Sequence, residues 1–168
     1  MTVTLAEARR IIEGAIAKAR DHKAEISVTV CDANGRLVAL NRMDAARAES
    51  NHYSIGRAIA AAASGRPSGE AETSIDFSLR TGTAVGEGMP ILRRQGGLPI
   101  IRGGVVDGAC GVRGANNNEE DERCARAGLV EIGARANLQP KDCSTHEAGW
   151  RVGRPGAVSP ASCLVAQN

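Results

Sequence analysis

Gly96-Gly-Leu-Pro-Ile-Ile-Arg-Gly-Gly-Val-Val-Asp-Gly-Ala-Cys-Gly-Val-Arg-Gly114 is the stretch on which the fold turns. Two apolar runs, Leu98–Ile101 and Val105–Val112, flank a tight turn at Arg102-Gly103-Gly104. Adjacent glycines supply the positive φ angles that a two-residue loop needs, so the pattern predicts a β-hairpin. The second run carries glycine at 108, 111 and 114. Glycine recurring in a strand marks a bulge or a place where something comes close to the backbone. Two accounts are open. The strand packs hard against another element of the core, or it walls a ligand pocket with Arg113 reaching into or over it.

Upstream, Thr4-Leu-Ala-Glu7 is a capping box that opens a helix, because Thr4 accepts the amide of residue 7 and Glu7 reaches back. Leu5, Ala8, Ile11, Ile12, Ala15, Ile16 and Ala19 recur at helical spacing, predicting an amphipathic helix over 5 to about 21. Ile26, Val28 and Val30 alternate with Ser27, Thr29 and Cys31, a strand with one apolar face. Asp32-Ala-Asn-Gly35 is turn chemistry, and Leu37–Leu40 begins an antiparallel return strand. A second helix is expected from about Ala46 to Ser64, stopped by Gly65 and Pro67, with Ile55, Ala58, Ile59 and Ala62 inward. Its first turns are polar: Asn51, His52 and Tyr53 are consecutive, and Glu49 stands three residues before His52. This end is either a solvated helix start or a set of groups directed at a ligand.

Between Gly65 and Gly97 no period holds; a short helix over Thr73–Arg80 precedes an irregular loop through Pro90. Loops this long in compact domains are uncommon and often functional. Its glycines match neither a phosphate loop nor a dinucleotide fingerprint, so nucleotide binding is not supported. After the central hairpin, Asn116–Asn118 offers N-caps and the acids Glu119, Glu120, Asp121 and Glu122 suit the positive end of a helix dipole. That run reads as a helix start rather than a metal site, with Ala125, Leu129 and Ile132 inward and an end near Ala136. Residues 137–168 hold three prolines and no period, an irregular tail expected to gain order by packing on a neighbouring subunit. Domain organisation is therefore one folded unit, 1–136, and this tail. Cys143 and His146 have a spacing seen in metal sites, but no second pair completes them.

The 168 residues suffice for one domain burying roughly 70% of its unfolded surface. A net charge of +2, from 21 basic and 19 acidic residues, and only three aromatics (Tyr53, Phe77, Trp150) leave no footprint for nucleic acid. Charged residues interrupt the first twenty positions, so neither a signal-peptide core nor a membrane span is read. The expectation is a soluble cytoplasmic protein. Five cysteines without a Cys-x-x-Cys pair point to reduced, partly buried thiols.

In the order helix, hairpin, helix, irregular segment, hairpin, helix, the chain resembles the GlcG/HbpS-like family, often labelled haem-degrading. The residues that carry the resemblance are Thr4-Leu-Ala-Glu-Ala8, Val28-Thr-Val-Cys-Asp-Ala-Asn-Gly35, Arg42-Met-Asp-Ala45 and Ala62-Ala-Ser-Gly-Arg-Pro67. Gly96-Gly-Leu-Pro-Ile100, Gly108-Ala-Cys-Gly-Val112 and Asp121-Glu-Arg-Cys-Ala125 complete them, over roughly residues 3–134. The resemblance implies an α/β (α+β) fold: a central antiparallel sheet of profilin-like topology flanked by helices, in a homo-oligomer. It also implies a ligand pocket between the second helix and the glycine-rich hairpin, where Asn51, Gly111 and Gly97 would contact a small-molecule substrate. Some members bind haem, and others are enzymes, including a hydroxylaminobenzoate lyase. The chain departs from the family pattern at Arg113, where a small residue is common, and at Asn51-His52-Tyr53, where an aliphatic-rich stretch is usual.

These polar replacements favour a cofactor-independent lyase acting on a small anionic, aromatic carboxylate in aromatic catabolism. A guanidinium presents a planar fork that matches a carboxylate, which casts Arg113 as the substrate anchor. His52 would act as general acid or base, since an unperturbed imidazole titrates near neutrality, with Tyr53 or Glu49 assisting. For a hydroxylaminobenzoate, protonating the N-hydroxyl lets water leave; attack by water on the resulting electron-poor ring or imine and loss of ammonia, with one water added net, would give a dihydroxybenzoate. No metal or organic cofactor is needed for that scheme. The alternative is a non-covalent haem-handling module with His52, His22 or Cys31 as axial ligand. His22, at a helix end, is also explained as a cation on the dipole.

Overall fold

The computed structural model describes residues 2–71, 88 and 90–136. The segment expected as a short helix at 73–80, most of the loop after it, the Cys143/His146 pair and the tail lie outside the described residues. Thr4 caps α1 (Leu5–Asp21) as the sequence requires, with both arms of the capping box formed and Ala8, Ile11, Ile12, Ala15 and Ala19 buried. The strands β1 (Ser27–Asp32) and β2 (Leu37–Arg42) form the first antiparallel hairpin. Asp32 Oδ1 locks its turn by accepting the amides of Asn34 and Arg36, at 2.8 and 2.9 Å. The opening stretch forms β3 (Gly97–Arg102) and β4 (Val105–Arg113). Gly103 and Gly104 sit in the loop at φ 56° and 78°, the left-handed pair that this hairpin demands.

The four strands form one antiparallel sheet in the order β2-β1-β4-β3. Register gives its faces unequal characters. Val28 and Val30 of β1, Cys110 and Val112 of β4, and Leu98 and Ile100 of β3 share one face and build the main core. That face is covered by α1 and α3 (Asn118–Val130), whose Cys124, Ala125 and Leu129 join it. The other face is made of small groups. Thr29, Gly111 and Gly97 lie side by side across three strands, with Cys31, Ala109 and Pro99 in the next row. On it lies α2 (Ser50–Ser64). The alternation in β1 therefore does not separate core from water: Ser27 and Thr29 are as buried as Val28 and Val30.

Glycine sets how close α2 comes. A Cβ at Gly111 would strike the backbone oxygen of Ser54 and the nitrogen of Ala58, and one at Gly97 the backbone oxygen of Arg57. The packing account of the glycine-rich strand is thus the one realised. The pocket expected between α2 and the hairpin is corrected in this respect: beside Gly97 and Gly111 the space a ligand would use is occupied by the helix backbone.

Two helix boundaries also differ from expectation. The chain from Met43 to Ser50 makes two separate four-residue turns (Ala46 N to Met43 O, Ser50 N to Arg47 O, both 3.0 Å), so α2 starts at Ser50. At the other end, α3 stops at Val130 rather than near Ala136. Gly133 takes φ 64°, and Arg135 returns to pair with Ile101 on the edge of β3 (3.0 and 3.2 Å).

Arg102 ties α1 to the hairpin, since its guanidinium meets Glu7 and, at 2.7 Å, Asp107. The Arg102 hydrogen bond, with the Thr4 amide, holds the Glu7 carboxyl at about 2, below the usual 4.5. A carboxylate lowered in the folded state stabilises above its unfolded pKa and loses that contribution as pH falls from about 4.5 towards 2. Arg102→Met should therefore cost about 1–2 kcal/mol at pH 6, modest because the pair is partly exposed, and less at pH 2.5, where the Glu7 contribution is being lost. Urea midpoints at the two pH values check it; an equal deficit at both would remove Glu7 from the account.

Candidate functional site

The buried side of α2 reads Ser50, Ser54, Arg57, Ala58 and Ala61, so a cation sits in a stripe of small residues. Arg57 is only 1% exposed. Its Nη1 donates to Asp121 Oδ2 at 2.6 Å and to the carbonyl of Val112 at 2.5 Å, and its Nη2 donates to Asn118 Oδ1 at 2.7 Å. Among the described residues its buried Nε has no partner. Gly96, at φ 123°, lies against this guanidinium, and a Cβ there would collide with it. Burial pushes the Arg57 pKa down from its ordinary value, and Asp121 opposes that.

Asp121 belongs to the acidic first turn of α3, but it is wholly buried and does more than complement the dipole. Its Oδ1 accepts the Ala115 amide at 2.8 Å, closing the loop between β4 and α3. Asn117, not its neighbours, is the N-cap, accepting the Glu120 amide at 2.8 Å. One buried ion pair therefore joins α2, β4 and the start of α3.

Arg113 lies at the outer end of the same cluster. Its Nη1 is 3.4 Å from Asp121 Oδ2 and 3.2 Å from Asn118 Oδ1, and its side chain is 37% exposed. The guanidinium also sits over the Tyr53 ring, 5.8 Å from the centroid, and Tyr53 is itself 44% exposed. This Tyr53–Arg113 face is what the structure assembles from the residues singled out in the sequence.

The others are placed differently. Asn51 accepts the Ser27 hydroxyl at 2.9 Å, and Ser27 also meets Ser50 at 2.6 Å, so Asn51 helps fix α2 to β1. Ser54 and Thr29 form a second such link at 2.7 Å. His52 is exposed on α2 one residue before Tyr53, and Glu49 is an exposed helix-start residue whose side chain makes no cap bond. His22 caps the C-terminus of α1 through its backbone amide, bonding Ala19 and Arg20. Cys31 is sealed beneath α2, and burial pushes its thiol up to about 12, which removes it as an accessible thiolate ligand. Cys110 and Cys124 are likewise free and buried, with raised pKa values. Among the described residues no group of three or more His, Cys, Asp or Glu gathers to hold a metal, and no helix is long and apolar enough to cross a membrane.

Sequence reasoning missed Arg57 and the buried role of Asp121. The signal was present in both helices: Arg57 lies three residues after Ser54 and four before Ala61, while Asp121 precedes Ala125 by four and Leu129 by eight. Each is a charge on an inward stripe, and opposite charges buried on separate elements call for each other.

The family model described as haem degrading protein HbpS-like matches residues 3–130. The chain belongs to the HbpS-like family. A relative in Citrobacter freundii, an uncharacterized 15.0 kDa protein encoded between dhaT and dhaS, is 30% identical over 134 residues, covering 76% of this chain and 90% of the relative. The crystal structure of a double mutant of Streptomyces reticuli HbpS superposes with TM-score 0.66 at 28% identity, over 79% of this chain and 88% of that one. Klebsiella pneumoniae ORFY gives TM-score 0.66 at 26% identity, over 80% and 93%. The PduOC:heme complex shares the fold at TM-score 0.66 and 19% identity, over 82% and 100%. These likenesses agree with the sheet and its helical layers, and with the family named from the sequence motifs.

The ion pair can be tested by a double-mutant cycle. Removing one partner of a buried pair leaves the other charge stranded, so Arg57→Met or Asp121→Leu alone should cost about 3–5 kcal/mol. The double variant should cost clearly less than the sum. Strict additivity in urea denaturation would show that the two residues act independently.

Proposed function

We propose that this HbpS-like chain binds a planar, carboxylate-bearing aromatic ligand on the Tyr53–Arg113 face, with haem as the leading candidate. The observation that carries the reading is the part-exposed Arg113 guanidinium resting over an exposed Tyr53 ring. That pairing offers a cationic fork for a carboxylate beside an aromatic surface for a flat ligand. The family description supports haem as the ligand class. Exposed His52, the residue before Tyr53, would supply an imidazole for the iron, and Arg113 would be the partner for a propionate. Bound haem would contribute its own redox chemistry, while the protein's part is to hold and orient it.

A second reading keeps the same anchor. Arg113 would hold the carboxylate of a hydroxylaminobenzoate and His52 would donate the proton that lets the N-hydroxyl leave as water. Net addition of one water and loss of ammonia gives a dihydroxybenzoate, with no external oxidant or reductant. What favours it is a guanidinium paired with an aromatic ring, with an exposed imidazole one residue before that ring. Tyr53 would orient the ring; Glu49, exposed at the start of α2, is the nearest carboxylate in sequence for assisting His52. A cytoplasmic homo-oligomer remains the form we assign to either activity.

Haemin titration distinguishes the readings. For haem, the Soret band should shift and saturate at one equivalent, be lost in His52→Ala, and weaken about ten-fold in Arg113→Gln. A weak, non-saturating change would reject haem. Ammonia release from hydroxylaminobenzoate, abolished in the same two variants, would then establish the lyase; turnover indifferent to both would reject these residue roles.

A further inference from the structure

Among the described residues the Asp121 carboxylate meets two guanidiniums. Asp121 Oδ2 is shared between Arg57, at 2.6 Å, and Arg113, at 3.4 Å. Asn118 Oδ1 is shared in the same unequal way, at 2.7 Å to Arg57 and 3.2 Å to Arg113. The buried cation takes the short bond to each acceptor, and the exposed one takes what is left. Arg94 adds further positive charge to the surroundings of Arg57. Arg113, with the longer contact to each acceptor, is the cation of the pair that reaches solvent.

Withdrawing Arg113 would strand nothing. Asp121 would keep Arg57 on Oδ2 and the Ala115 amide on Oδ1, and Asn118 Oδ1 would keep Arg57. Withdrawing Arg57 would leave a buried carboxylate with a single long ion-pair contact. Arg113 holds the buried Asp121 only at 3.4 Å with its own side chain 37% exposed, whereas a charge-assisted fork to a ligand carboxylate is short and directional. Exchange of partners at Arg113 leaves Asp121 paired with Arg57, and exchange at Arg57 does not.

We propose that Arg113 is an exchangeable counter-ion: its guanidinium leaves Asp121 and Asn118 for an anionic oxygen of the ligand, while Arg57 keeps Asp121 neutralised. The site then selects a carboxylate over an uncharged ligand of the same shape, and Arg57 and Asn118 are positioning residues for that selection. This rests on the Tyr53–Arg113 face being the binding face, but not on which aromatic acid it takes.

Benzoate and benzamide are the probes, followed by amide NMR on the full chain. Benzoate should bind about ten-fold more tightly than benzamide, and in Arg113→Gln the two should agree within about two-fold. Arg113→Lys, which keeps charge but loses the fork, should fall between. Benzoate should move the Asn118 side-chain amide and the Arg113 Nε–H while leaving the Ala115 amide in place. Equal affinity for the two probes, a preference surviving in Arg113→Gln, or an Ala115 shift as large as that of Asn118 overturns the exchange. So does a failure of benzoate to bind up to its solubility. Haemin failing to bind would instead reject only the haem reading; haemin binding with benzoate and benzamide equivalent would reject only the exchange.

Discussion

The structure depends on one buried ion pair, Arg57 with Asp121, set where α2, the end of β4 and the first turn of α3 converge. Burying two charges is costly, and their mutual attraction offsets that only when the remaining donors and acceptors are also satisfied. Here Val112, Asn118 and the Ala115 amide supply most of those bonds. The pair thereby joins α2, the end of β4 and the start of α3. It links the two helical layers through the sheet, since α2 covers one face and α3 the other.

The small-residue face makes this geometry reachable. Gly111 and Gly97 let α2 settle against the sheet, while Ser27, Thr29, Ser50 and Ser54 join the two by hydroxyl contacts. A larger side chain at Gly111 would lift the helix and carry Arg57 away from the Val112 carbonyl. Large aliphatic side chains are concentrated on the opposite face, where α1 and α3 pack. The two faces thus hold their helices by different physics, close polar and backbone contact on one side and apolar burial on the other.

Much of the architecture was legible because its signals are local. The Thr4–Glu7 capping box, the Asp32–Gly35 turn and the Gly103-Gly104 loop each specify their own geometry, and the motif order specified the family. What was not legible depends on who sits opposite. Ser27 and Thr29 look like a solvent face until α2 is placed on them. Asp121 looks like a dipole acid until Arg57 is brought beside it. Arg113 was singled out for its chemistry, but its sequence neighbours do not reveal that Asp121 and Asn118 restrain it. Asn51 reads in the sequence as a ligand contact, and in the fold its Oδ1 accepts the Ser27 hydroxyl and ties its helix to β1.

Native-state hydrogen exchange on Arg57→Met tests the central claim most directly. Loss of the pair should lower amide protection together in α2, from Ser54 to Ala62, and at Ala115 and the first turn of α3, because one contact holds all three. Loss confined to α2, with Ala115 and α3 protected as in the wild type, would contradict the claim that this pair joins the layers.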